Sequence, residues 1–234
     1  MAIPATFLQL AQKTHELSGM QGSGPAAVTG NPDMYQKIVT WVADAWVTIQ
    51  NARKDWRFLR VSFAVPITAR ASEHDLTAAP FSWTNFSSFD QDSLTLNTTG
   101  QVDVQYLKLR DYRDFRMRYS ALAMTAMRPS ALCQPSATKI RFNTILDADY
   151  DFRGDYWRSP QVLAASGEEP LLPLEYRMLI VYEALKTIAA DRGTGDLREF
   201  ANREYGKLYP KMCVSEAELP SAFPVCSLLG PDVM

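Results

Sequence analysis

At 234 residues, 47% hydrophobic and 21% charged, the chain is long enough to bury a sizeable core and has the composition of a folded globular protein, not a disordered one. Its 24 Lys and Arg against 26 Asp and Glu exclude a uniformly basic nucleic-acid binder while leaving room for local basic surfaces. Two His and three Cys offer little material for a metal centre or an activated nucleophile.

The opening Met1 to Leu10 carries no positive n-region, and no apolar run approaches the roughly 18 residues that cross a bilayer. Neither a secretory signal nor a membrane span is expected, and the chain is expected to start out in the cytosol. Pro4 to Leu17 reads as a short amphipathic helix with Phe7, Leu8 and Ala11 on one face, followed by a flexible link at Gly19 to Pro25. Asn31 as N-cap, Pro32 at the first helical position and Asp33 in the first turn then start a long helix over about 32–55. Tyr35, Ile38, Val39, Val42, Trp46 and Ile49 form its apolar stripe.

Phe58 to Val65 is β-rich and closed by Pro66. Further β-prone runs lie at Leu94 to Leu96, Val102 to Leu109, Phe115 to Tyr119, Lys139 to Ile145 and Asp151 to Trp157, a spacing that fits a small antiparallel sandwich or barrel. Ser120 to Met127 suits either helix or strand. Helical period returns after Pro170, where Leu174, Met178, Val181, Tyr182, Leu185, Ile188 and Ala189 form a stripe that stops at Gly193. A short turn leads to a partner helix from Asp196 to Tyr209, with Pro210 expected to end it. Lys211 to Met234 has three prolines and no period, and reads as an extended arm.

The fold expected is α+β: N-terminal helices over 1–57, an inserted small antiparallel β domain over 58–165, C-terminal helices completing the bundle over 166–210, and an extended arm over 211–234. The stripes of residues 32–55 and 173–209 each need a partner and should pack together although more than 100 residues separate them.

Several patterns fall short of chemistry. Asp147-x-Asp149-x-Asp151 resembles the start of a calcium loop, but Phe152 stands where Gly is required and Arg158 where a bidentate Glu belongs, so an acidic turn is expected instead. His15 and His74 lie in polar, turn-like sequence with no nucleophile or orienting carboxylate, and read as surface imidazoles. The glycines of 19–24 follow a helix and precede no Lys-Ser/Thr, so they are not a phosphate loop. Cys133, Cys213 and Cys226 are far apart and read as buried or inert thiols. No catalytic, cofactor or metal site is expected.

Lys108, Arg110, Arg113, Arg116 and Arg118, interleaved with Tyr106, Tyr112, Phe115 and Tyr119, make a basic-aromatic cluster suited to phosphate contacts. Asp111 and Asp114 sit within it, and alternating signs suit subunit pairing or a solvated face as well. Arg53, Lys54, Arg57 and Arg60 surround Trp56 and Phe58, which are expected to seal the long helix against the sheet beneath arginine stems; a partner-binding hot spot is the alternative.

Taken in order, Tyr35 to Gln50 running into Asp55 to Arg60, then Asp155 to Leu163, then Glu169 to Tyr176 leading into Leu179 to Leu185, resemble the head-to-tail adaptor proteins of tailed bacteriophages, of the SU10-like kind. Order and spacing are similar over about 32–210, with a poor middle at 70–104. The resemblance implies a non-enzymatic virion protein of the neck, assembled in the host cytoplasm. It implies a ring of copies under the portal protein, joined to tail or nozzle proteins and continuing the DNA channel. The cluster Lys108 to Arg118 would face DNA or a neighbouring copy. The apolar residues of the arm, Met212, Leu219, Phe223, Val225, Leu228 and Leu229, would dock on the portal or an adjacent adaptor. Two other readings are a nucleic-acid-binding protein using the basic-aromatic surface and, with nothing else converging on it, a hydrolase using Asp147, Asp149 or Asp151.

Overall fold

The structure is a computed structural model and describes residues 3–119 and 125–216. Its helices are α1 (Phe7–Leu17), α2 (Asp33–Asn51), α3 (Tyr112–Tyr119), α4 (Met178–Arg192) and α5 (Gly195–Glu216). Its strands are β1 (Arg60–Ile67), β2 (Glu73–Asp75), β3 (Phe86–Phe89), β4 (Thr95–Thr98), β5 (Gln105–Tyr106), β6 (Lys108–Arg110), β7 (Ala131–Ser136), β8 (Lys139–Phe142) and β9 (Tyr150–Arg158). The class is α+β. Residues 60–159 form one compact unit, and the chain on either side of them forms the other.

In the helical unit α1, α2 and α4 pack on one another, and α5 packs on α4. The two apolar stripes meet: Ile38, Val42 and Trp46 of α2 and Val181, Leu185 and Ile188 of α4 are all fully buried, whereas Leu174 lies in a turn before α4 and is exposed. Each such side chain contributes about 1.5–3 kcal/mol by leaving water. Helix α1 starts on a capping box in which the Thr6 hydroxyl accepts from the Gln9 amide and the Gln9 side chain accepts from the Thr6 amide.

Three local expectations change. Helix α2 is capped by Pro32 without a side-chain hydrogen bond, because Asn31 donates instead to the Ala27 carbonyl at 2.5 Å. The glycine-rich link is a built segment: Gln12 donates to the Pro25 carbonyl at 3.2 Å and Gln36 to the Val28 carbonyl at 3.1 Å. Gly22 within it holds φ +110°, where a Cβ would stand 2.0 Å from the Tyr35 hydroxyl. Finally, Pro210 lies inside α5, which continues to Glu216. Burial of Met212 and Cys213 beyond it offsets the lost backbone bond, so residues 211–216 are helix and not arm.

In the β unit, β9 is the organising strand. It pairs with β1 along the full length of β1, from Arg60 opposite Trp157 to Ile67 opposite Tyr150, and with β4 and β3 on its other side. Strand β5 extends that sheet beyond β4, and the second sheet runs β2, β8, β7, β6. Among the named strands pairing is antiparallel except between β6 and β7, which run parallel. The core between the sheets centres on Phe152, with Phe63 at 4.9 Å and Phe142 at 5.8 Å between ring centres. The expected strand Phe115 to Tyr119 is instead part of α3. The Asp111 carboxylate accepts from the Arg113 amide at 2.8 Å and from the Asp114 amide at 3.4 Å, which caps a helix. Residues 120–124, where helix and strand were equally open, lie outside the described residues.

Candidate functional site

The basic-aromatic cluster is carried by β6 and α3, joined by the Asp111 cap. Phe115 is the one α3 side chain buried in the unit, and its anchoring turns the rest of the helix outward. Asp114 is the hub of the charges. It accepts from Arg118 at 2.9 Å and from Arg110 at 3.5 Å, each four residues away. The cluster therefore divides in two: Arg110 and Arg118 are neutralised locally, whereas Lys108, Arg113 and Arg116 are exposed and have no ion-pair partner among the described residues.

Beside these three cations lie apolar groups that face water. Tyr106 is 71% exposed and Met117 70%. Tyr112 is exposed too. Tyr112, Arg113, Arg116 and Met117 line a shallow depression of about 470 Å³, and Tyr106 with residues 107–110, Gln91 and Asp92 lines another of about 380 Å³. Such a surface can grip an anion and an apolar side chain together; it holds no nucleophile or proton-transfer pair. The charges and tyrosines of this surface are legible in the sequence, whereas Met117 is not.

The other sequence candidates scatter. Met212 of the expected arm is buried in the helical unit, which removes it from any docking set; Leu219, Phe223, Val225, Leu228 and Leu229 lie outside the described residues. Asp147 accepts from the Tyr150 hydroxyl at 2.6 Å, Asp149 from the Ala69 amide at 2.7 Å, and Asp151 pairs with Arg153 at 3.2 Å, so the three carboxylates serve three separate neighbours. Neither histidine is a surface imidazole. His15 is buried edge-on to Tyr35, and His74 is half-buried between Phe81 and Phe142; the Nε2 atom of each has no hydrogen-bond partner among the described residues. Burial pushes the Cys133 thiol up to about 11, which leaves it protonated and unreactive at neutral pH. Trp56 is fully buried against its own helical unit, donating to the Ile49 carbonyl at 3.1 Å, stacking on Phe58 and meeting Tyr209 edge-on.

Two polar clamps went unforeseen. Buried Arg177 donates to the carbonyls of Ala5, Leu172 and Pro170 and pairs with Glu169 at 3.0 Å. Gln161 exchanges two hydrogen bonds with Gln50, at 2.7 and 2.9 Å, and accepts from the Trp46 indole at 3.2 Å. Both tie the chain that re-enters the helical unit onto its N-terminal helices.

A folded bundle interrupted by a β unit, with an exposed basic-aromatic surface and no reactive centre on the described residues, matches the SU10 adaptor protein family over residues 6–211. The chain belongs to that family. No curated protein matches it. Family membership gives it a structural role as a phage head-to-tail adaptor. The match runs from the α1 cap into the last turns of α5, so residues 212–234 lie outside it. Among the described residues no helix is long and apolar enough to cross a membrane.

Proposed function

We propose that this protein is the ring-forming subunit of the phage neck: copies assemble under the portal protein, continue the DNA channel and present a lower face to tail or nozzle proteins. The family match over both units carries this reading. In it the protein needs no cofactor and catalyses no reaction, and assembly takes place in the host cytoplasm before the adaptor enters the virion. The exposed Lys108, Arg113 and Arg116 face either passing DNA or a neighbouring copy. Residues 217–234, with Leu219, Phe223, Val225, Leu228 and Leu229, dock on the portal or on an adjacent copy. Mixing purified protein with portal and imaging by negative stain tests the assembly. Added density stacked on the portal is expected; protein that stays unbound at micromolar concentration would contradict it.

The second reading, a nucleic-acid-binding protein, is favoured by the three cations beside Tyr106 and Tyr112 that have no ion-pair partner among the described residues. It predicts duplex binding that weakens steeply with salt and with Arg113→Ala/Arg116→Ala.

A further inference from the structure

We infer that the α3 surface is a docking site for residues 217–234 of a second copy of this chain, with Arg113 and Arg116 gripping an acidic-apolar segment. This rests on the ring reading above, because it assigns the neighbour that the surface meets.

Charge points to that occupant. Lys108, Arg113 and Arg116 have no ion-pair partner among the described residues, whereas residues 217–234 contain Glu218 and Asp232 and neither Lys nor Arg. The cations are not evenly available. Asp92 lines the depression that holds Lys108, and Asp114 already occupies Arg110 and Arg118, so the strongest pull on a carboxylate lies in the depression lined by Arg113 and Arg116.

Apolar character decides between protein and DNA. Met117, Tyr112 and Tyr106 flank the free cations and face water. A duplex sliding past presents phosphates, which gain nothing from a thioether. Arg, Tyr and Met together are the residue types enriched where proteins meet, and they complement Leu219, Phe223, Val225, Leu228 and Leu229. The segment after Glu216 can extend up to about 60 Å, and a ring would hold a neighbour's copy of it at high local concentration. Pro220, Pro224 and Pro231 reduce the conformational entropy lost on docking.

Photo-cross-linking of the full-length protein tests the docking. A photoactivatable phenylalanine replaces Phe223 in isotope-labelled copies, which are mixed with unlabelled copies of the natural sequence. The expected product joins position 223 of a labelled copy to a peptide containing Tyr112 or Met117 of an unlabelled one. Arg113→Glu/Arg116→Glu should lower its yield about tenfold, and Glu218→Arg/Asp232→Arg in the partner should restore it. Arg113→Gln/Arg116→Gln, with a circular dichroism spectrum matching the parent, gives the same reading if the reversal unfolds the protein. Cross-links confined to one copy, to the helical unit or to added portal would overturn the inference, as would a yield indifferent to these variants while DNA binding is lost. Portal-bound density without the cross-link would leave the adaptor reading intact and remove only this one; the cross-link without such density would do the reverse.

Discussion

Arg177 clamps the helical unit from within. Its guanidinium satisfies three backbone carbonyls from two distant stretches, and its side chain is 10% exposed. Arg177→Ala leaves those acceptors without their donor and should lower stability by about 2–4 kcal/mol, read as a drop in urea midpoint; Arg177→Lys should recover little, since an ammonium cannot reproduce the fork. An unchanged midpoint would contradict this role. His74 gives a pH effect of known sign. Burial holds its imidazole below the usual range, so the unfolded chain takes up a proton first as pH falls. Its contribution is complete above about 6.5 and is lost as pH drops from there toward the lower folded-state value. His74→Phe should lose less melting temperature than the parent between pH 7.5 and 5; parallel curves would rule the effect out. Neither residue was legible in the sequence, because burial and partners 172 residues away leave no local trace.

At the scale of elements the sequence spoke most clearly where one face repeats. The stripes of α2 and α4 predicted both helices and their meeting, and Trp46→Ala or Leu185→Ala should each cost about 2–5 kcal/mol, measured as loss of thermal or denaturant stability. Melts unchanged by both would sink the bundle. Strand β9 was legible too, as the β-prone run Asp151 to Trp157. Helix α3 was not. Phe115, Met117 and Tyr119 alternate as a strand would, while the signals for helix were the Asp111 cap and the four-residue spacing of Asp114 with Arg118. Pro210 misled in the opposite direction: a local stop signal lost to tertiary burial of Met212 and Cys213. The parallel pairing of β6 with β7 was likewise beyond strand propensities, which do not encode partner direction.

For the whole molecule, the order of motifs carried what composition could not. Charge, cysteine count and the failed calcium pattern narrowed the chemistry without naming a role, and the resemblance over about 32–210 named the family whose match extends from residue 6 to 211. The candidate surface was half legible: its cations were in view, but their division by Asp114 into paired and unpaired sets needed coordinates. A structural adaptor must hold its partners by surface alone, so its function resides in assembly. The most direct measurement is a cryo-EM reconstruction of the neck of virions that contain this protein. The account predicts a ring of copies directly beneath the portal, each fitted by the helical unit and the β unit and together lining the DNA channel. A neck whose density below the portal fits neither unit, or this chain found elsewhere in the particle, would contradict it.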